Sequence, residues 1–278
     1  MASQSNYHPQ IKIEPVAKWG FPDFKELFHY RDLLFFLIWR NIKVAYAQSV
    51  GGLAWAIVQP AMQVFIFSLV FGGLLDLDTD GIPYPLFSTV AVIPWIYMSG
   101  AMASGSSSLL TNVSILGKVY IPRLIFVLYQ VLGSLVGFFI SLILLFAVLL
   151  FYRVGLTMNL LMLPVVFVLM VMVPLGVSLW LASLTIRFRD VRIMMGHLMR
   201  ALIYIVPVMY PSSQVPADVR PLYILNPFVG VIEGYKSCLL GQPFYWDSLM
   251  TSAIISVVLL VTGALYFRRM ERVIVDVI

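Results

Sequence analysis

A cluster of charged side chains interrupts a chain that is otherwise strongly apolar. Arg187, Arg189, Asp190 and Arg192 lie close together, with long hydrophobic segments on both sides. Arg187 and Asp190 are three residues apart, so their side chains can pair on one face of a helix. We interpret the cluster either as a positively charged anchor at a membrane surface or as a docking point for a partner protein.

Two glutamines lie in the first long hydrophobic segment. Trp55, Gln59, Gln63 and Phe67 recur every four residues, which puts them on one face of a helix. An amide in hydrocarbon is costly unless it meets a hydrogen-bonding partner or water. The pattern therefore indicates either hydrogen bonds between packed helices or a polar stripe that lines a conduit, and both interpretations stay open.

Two further groups of side chains could bind or pair with charges. His197, Arg200 and Tyr204 share one face of a later segment, where the arginine could form charge-assisted hydrogen bonds with a phosphate. Arg200 would serve equally well as an anchor whose guanidinium reaches the lipid headgroups. Glu233 and Lys236 are spaced to pair with each other, which favours a structural lock over a ligand site.

Several kinds of active site are missing from the sequence. No G-x-x-x-x-G-K-[S/T] loop occurs, so the chain cannot cradle ATP phosphates by that route. The histidines are scattered and Cys238 is alone, so neither a metal site nor a disulfide is predicted. Carboxylates are nearly absent from the apolar segments, which argues against a proton or sodium relay and against an acid–base enzyme. We therefore expect no catalytic residue and no cofactor in this chain.

The composition indicates a membrane protein. Of the 278 residues, 61% are apolar and only 11% are charged, whereas ordinary soluble domains are about 25% charged. Long apolar stretches predict six transmembrane helices, at about 53–75, 85–107, 124–152, 158–186, 191–210 and 248–267. Between the fifth and sixth of these spans, prolines break the segment 211–247, in which PFVGVIEGYKSCLLG predicts a short re-entrant or interfacial helix on the outer side.

The basic residues predict which side of the membrane each loop faces. All of the 18 Lys and Arg residues except Arg153, Arg220 and Lys236 fall on one side of the six spans. The positive-inside rule therefore puts both termini in the cytoplasm. Since this charge is spread over membrane loops, we do not expect nucleic acid as a partner. The predicted organisation is a polar extension (1–22), an amphipathic helix at the inner membrane surface (23–52) and a six-span, all-α domain (53–278).

Five short motifs, taken in order along the chain, resemble those of one family of membrane proteins. They are Trp39-Arg40; Tyr46 to Trp55 with Gln59-Pro60; Asn112 to Lys118 with Pro122-Arg123; Arg187 to Val191; and Asn226-Pro227 with Glu233-Gly234-Tyr235. In these motifs the chain is similar to the membrane subunit of ABC-2 type exporters for polysaccharides and polyol phosphates. Members of that family move O-antigen, capsule or teichoic acid chains.

The resemblance implies a homodimer joined to two copies of a separate ATPase subunit, which binds ATP and Mg. The residues it implies for coupling to the ATPase are Arg40, Asn112, Lys118, Arg123, Arg187, Arg189 and Asp190. It also implies that the first and fifth spans surround the channel, lined by Trp55, Gln59, Gln63, Phe67 and Tyr204. His197 and Arg200 are then candidates for a lipid phosphate, and Asn226, Pro227, Glu233 and Lys236 for an outer gate.

The resemblance thus predicts a permease of the bacterial inner membrane that exports a polysaccharide such as O-antigen, carried on a lipid. Three alternatives stay open: an ABC-2 permease for a drug or small lipid, a membrane enzyme that modifies lipid-linked saccharides, and a secondary transporter that works alone. The missing acid–base cluster disfavours the enzyme. The lack of buried carboxylates and of a visible internal repeat disfavours the secondary transporter.

Overall fold

The computed structural model describes residues 24–47, 51–116, 121–188 and 190–277. Helices and turns make up this part of the chain, and no strand occurs in it. The predicted all-α membrane fold is confirmed. The predicted polar extension, 1–22, lies outside the described residues.

Among the residues that the structure describes, five helices are long and apolar enough to cross a membrane. Their bounds are Gly52–Leu74, Tyr84–Ser106, Leu124–Phe151, Met158–Arg187 and Trp246–Glu271. They agree closely with five of the six predicted spans, because an uninterrupted apolar stretch of about 20 residues is long enough to cross the hydrocarbon as a helix. The first span contains α3 (Trp55–Phe67), and the next three contain α4 (Tyr84–Ser106), α7 (Leu124–Phe151) and α8 (Leu163–Arg187). The last belongs to α12 (Trp246–Val277).

The remaining predicted span, 191–210, is not one continuous helix, so the count of six is not confirmed. Its helix, α9 (Asp190–Leu202), has 13 residues and is followed by turns over 203–210. At 1.5 Å per residue, α9 is about 20 Å long, which is less than the hydrocarbon thickness of about 30 Å. Pro207 lies within the turns and cannot donate a helical hydrogen bond, which disfavours continuation of the helix.

Residues 190–210 nevertheless run from one end of the helical bundle to the other. Ser178, two turns before α8 ends, lies close to Ala101 near the end of α4, so these two helices end on the same side. At the opposite end, the Tyr84 hydroxyl at the start of α4 donates to the Met209 carbonyl at 2.7 Å. We call residues 190–210 the broken crossing.

Short helices lie at both ends of the bundle. At the end where α7 begins, hereafter the α2 end, lie α1 (Phe24–His29), α2 (Arg31–Ala47), α5 (Ser108–Thr111) and α6 (Val113–Leu116). At the opposite end, hereafter the α11 end, lie α10 (Arg220–Ile224) and α11 (Pro227–Leu240). Within residues 24–47, the described part of the predicted helix at 23–52, two helices form, of which α2 buries Leu37 and exposes Phe35 and Trp39.

The centre of the fold is α4, which packs against α3, α7, α8 and α11. In the most apolar 18 residues of α4, 78% of the residues are buried, compared with 11% in the first span. Small residues bring α8 and α12 together: a Cβ on Gly176 would lie 2.8 Å from the Leu260 backbone nitrogen, and one on Gly263 would lie 2.8 Å from the Gly176 carbonyl. Such close contacts are typical of helix packing in membranes.

Candidate functional site

A cleft of about 440 Å³ opens between α3, α4 and the broken crossing. Its lining residues are Gln63, Phe67, Trp95, Ser99, Met199, Arg200, Ile203, Tyr204 and Met209. The structure therefore brings together three of the predicted channel residues, Gln63, Phe67 and Tyr204. Arg200, the candidate for a phosphate, lies in the same cleft.

Two neighbouring helices, α3 and α4, supply one side of the cleft. Gln63 and Phe67 are one turn apart on α3 and face α4, where Trp95 and Ser99 are also one turn apart. Trp95 is buried at 3% exposure, and its ring meets the Phe228 ring edge-on at 5.9 Å between centroids. This packing holds the indole in a defined orientation at the cleft wall.

The broken crossing supplies the other side of the cleft. Because α9 ends at Leu202, the carbonyls of its last turn and of the residues that follow need new partners. The Tyr210 hydroxyl lies 3.2 Å from the Tyr204 carbonyl and 3.0 Å from the Ile205 carbonyl. The Tyr84 hydroxyl also donates a hydrogen bond to the Met209 carbonyl. These contacts fix the turns, and the Tyr204 ring is left 65% exposed beside the cleft.

The cleft combines three kinds of chemistry. The Gln63 amide can donate and accept hydrogen bonds, the Phe67, Trp95 and Tyr204 rings offer flat apolar faces, and Arg200 supplies a positive charge. In the described part of the chain no carboxylate pairs with the Arg200 guanidinium. The lining therefore suits a ligand with hydroxyl groups, ring faces and an anionic group.

Other predicted channel residues lie outside this cleft. Trp55 is 54% exposed and Gln59 is also exposed, on the part of α3 toward the α2 end. His197 is exposed on α9 and does not line the cleft. The sequence pattern does not mark Trp95 and Ser99 as cleft residues, because the periodicity of one helix does not reveal which neighbouring helix it faces.

The residues predicted to couple to an ATPase lie at the α2 end, as far as the structure describes them. Arg187 and Asp190 are exposed, and Arg40 is partly exposed. The predicted pairing of Arg187 with Asp190 does not occur, because α8 ends at Arg187 and α9 begins at Asp190, so the two are not on one helix. The Arg187 guanidinium lies over the Phe188 ring instead, at 5.4 Å. Lys118 and Arg189 lie outside the described residues.

Two other candidates for coupling are held within the fold. Asn112 is only 3% exposed, and its amide donates to the Ser108 carbonyl at 2.7 Å and to the Tyr129 hydroxyl at 2.8 Å. The Arg123 side chain, just before α7, donates to the Glu271 carbonyl near the end of α12. Their predicted coupling role stays a prediction, and for Asn112 it would have to act through neighbouring residues.

A buried ion pair lies at the α11 end. The Lys236 ammonium is 3.0 Å from a Glu233 carboxylate oxygen and 4.0 Å from the centroid of the Phe87 ring. The Ser212 hydroxyl donates to the same carboxylate oxygen at 2.8 Å. Burial lowers the pKa of Lys236, and the charge of Glu233 opposes that shift. These contacts join α11 to α4 and to the segment that follows the broken crossing.

The two remaining outer-gate candidates begin α11. The Asn226 side chain accepts a hydrogen bond from the Phe228 amide at 3.1 Å, and Pro227 occupies the first helical position. Both are favourable at a helix N-terminus, because the cap satisfies a free amide and proline has no amide to satisfy. Asn226 and Pro227 therefore set where α11 begins.

These features define a multi-pass membrane protein of the transporter class, with a polar cleft between its helices. Its sequence has no phosphate-binding loop of the kind that holds ATP. The chain belongs to the ABC-2 type transporter family, whose model matches residues 32–240. It is therefore a transport subunit and not an enzyme, as the sequence motifs predict.

Curated relatives cover most of the chain. It is 29% identical over 244 residues to the O-antigen export system permease protein RfbA of Myxococcus xanthus, an alignment that covers 85% of this chain and 91% of that protein. Two proteins of the same name from Klebsiella pneumoniae are 22% and 21% identical, and each alignment covers 86% of this chain and 92% of the relative.

Proposed function

We propose that this chain is the permease subunit of an ABC transporter that exports a lipid-linked polysaccharide, such as O-antigen, across the bacterial inner membrane. The cleft is the observation that carries this proposal, because its two facing sides offer an amide, aromatic faces and an arginine that pairs with no carboxylate of the described residues. The names of the curated relatives support the same class of substrate.

A polysaccharide needs a polar path because its hydroxyl groups cannot be satisfied in hydrocarbon. Aromatic faces can pack on sugar rings while Gln63 exchanges hydrogen bonds with successive hydroxyls. Arg200 is the group for the phosphate of the lipid carrier, since arginine forms charge-assisted hydrogen bonds with phosphate oxygens. His197, which is exposed on the same helix, is at most a second contact for that phosphate.

We further propose that the working unit contains two copies of this chain and two copies of an ATPase subunit. The first span is only 11% buried, and Gln59 is exposed on it. An amide that faces lipid is costly, so a second copy against α3 would cover Gln59 and extend the channel wall toward Trp55. In this arrangement ATP and Mg belong to the ATPase subunit.

The proposal assigns the two ends of the bundle to the two sides of the membrane. The α2 end carries Arg40, Arg187 and Asp190 and faces the cytoplasm, in accord with the positive-inside rule. The ATPase docks there, also meeting Lys118 and Arg189. The α11 end faces outward, where the Glu233–Lys236 pair and the start of α11 at Asn226 and Pro227 form the outer gate.

Co-purification with a candidate ATPase, followed by an ATPase assay, tests this proposal. The complex should contain both subunits in equal numbers. Lipid-linked glycan should stimulate its ATP hydrolysis more than a small amphiphilic drug or the lipid carrier alone. Stimulation by the drug or lipid carrier but not by the glycan would favour the small-substrate alternative. A chemically altered glycan would favour the membrane enzyme.

A further inference from the structure

A chain of side-chain hydrogen bonds joins three elements at the α2 end of the bundle. The Asn41 amide on α2 donates to the Gln130 side-chain oxygen on α7 at 3.3 Å. The Gln130 amide donates to the Tyr129 hydroxyl at 3.1 Å, and the Asn112 amide donates to the same hydroxyl at 2.8 Å. We call these four residues the amide–tyrosine network.

The network lies where polar groups have few alternatives. Tyr129 is 2% exposed, Asn112 is 3% exposed and Gln130 is 9% exposed, and α7 is among the most apolar of the spanning helices. A buried amide or hydroxyl that loses its partner keeps the full cost of having left water. The network therefore favours one relative position of α2, α7 and the α5–α6 loop over other positions.

The packing of α2 against this part of α7 is incomplete, although α2 buries Leu37 in the core. A cavity of about 190 Å³ lies between them, lined in part by Asn41, Gln130, Gly133 and Ser134. A Cβ on Gly133 would lie 3.8 Å from the Asn41 amide nitrogen, which is ordinary contact without a clash. The Asn41–Gln130 hydrogen bond lies at the edge of this cavity and adds a specific polar contact between α2 and α7.

We propose that Asn41, Gln130, Tyr129 and Asn112 are positioning residues that make α2 and the α5–α6 loop respond together when an ATPase moves one of them. This inference rests on the proposed function, because it needs an ATPase bound at the α2 end. Displacement of α2 pulls on Gln130, and the shared Tyr129 hydroxyl passes that displacement to Asn112. Asn112 thus acts from within the fold and not by contact with the ATPase.

The test measures glycan exported per ATP hydrolysed by the full complex in vesicles. Tyr129→Phe removes only the shared hydroxyl, and Asn41→Ala cuts the network on α2. Each variant should lower that ratio at least about fivefold, a typical size for coupling between two sites. ATP hydrolysis itself should stay within a factor of two of the wild-type rate.

Ser134→Ala is the matched control. Ser134 lines the same cavity, but its hydroxyl donates to the Gln130 carbonyl of its own helix at 2.9 Å. The Ser134→Ala variant should export as much glycan per ATP hydrolysed as the wild type. The double variant Asn41→Ala/Asn112→Ala should be no worse than either single variant, because the residues act in series.

The outcomes separate this inference from the proposed function. If the wild-type complex exports no glycan with ATP, the proposed function fails. If the wild-type complex is coupled and both Tyr129→Phe and Asn41→Ala keep its ratio per folded complex, only the network's positioning role is overturned. A loss of folded protein with an unchanged ratio of glycan exported to ATP hydrolysed would also overturn the positioning role, because it would show that the network contributes only to stability.

Discussion

Arg200 gives the cleft its charge. The other lining side chains are uncharged, and Gln63, Phe67 and Trp95 come from helices on the facing wall. An arginine that only anchors the helix to lipid headgroups would not need this setting. The position of Arg200 among ring faces and an amide favours a role in binding the phosphate of a lipid-linked glycan.

Replacing Arg200 with glutamine should weaken glycan binding. Hydrogen bonds to charged groups contribute about 1.5–3 kcal/mol, so the glycan concentration for half-maximal ATPase stimulation should rise about tenfold or more. His197→Gln, on the same helix but outside the cleft, is the control and should have a smaller effect. Arg200→Lys distinguishes the two roles, because lysine can anchor to headgroups but cannot bind phosphate with a planar fork. Normal stimulation in Arg200→Lys would support the anchor.

Glu233 and Lys236 should stabilise the fold through their interaction, so that loss of one charge destabilises the protein more than loss of both. Lys236→Met leaves the Glu233 carboxylate without its cation, and breaking a buried pair costs about 3–5 kcal/mol. The double variant Glu233→Gln/Lys236→Met removes both charges and should recover much of that loss. Thermal unfolding of the purified protein in detergent measures both variants. A double variant as unstable as the sum of two single variants would show that the two charges do not depend on each other.

At the scale of elements, the broken crossing creates the cleft. A straight helix over 191–210 would satisfy its own backbone, whereas the observed turns depend on Tyr84 and Tyr210 for partners. The sequence predicts five spans well because their apolar stretches are long enough for single helices. It does not predict this break, because hydropathy over a window averages Pro207 with its apolar neighbours.

The sequence predicts only some of the residues that line the cleft. A spacing of four residues places Gln63 and Phe67 on one face of α3, which the periodicity of a helix reveals. The facing residues of α4 are not marked in the same way, since Trp95 resembles an ordinary core side chain. The burial of Asn112 was equally hidden, because it depends on Tyr129 from another helix.

Because the broken crossing leaves the Tyr204 ring exposed beside the cleft, we expect water to reach this position. In a Cys238→Ser background, Tyr204→Cys should react with a hydrophilic, charged thiol reagent applied to both sides of the membrane. Ile254→Cys, which is 64% exposed on α12, should stay unreactive because it faces lipid. Labelling followed by mass spectrometry measures both. Equal protection of the two cysteines would contradict a wet cleft.

At the scale of the whole molecule, the two ends of the bundle have different tasks. The α2 end carries the exposed side chains of Arg187 and Asp190 and the amide–tyrosine network, whereas the α11 end carries the buried ion pair and the contacts of Ser212. The cleft lies along the segment that connects them. This arrangement suits a body that receives motion at one end and passes a polymer toward the other.

Transport by reconstituted vesicles distinguishes an ATP-driven permease subunit from a transporter that works alone. Vesicles that contain this chain and the proposed ATPase subunit should move lipid-linked glycan across the bilayer only while ATP is hydrolysed. Vesicles that contain this chain alone, or the complex with a non-hydrolysable ATP analogue, should move none above the leak of empty vesicles. Full-rate transport by this chain alone without nucleotide would contradict the account.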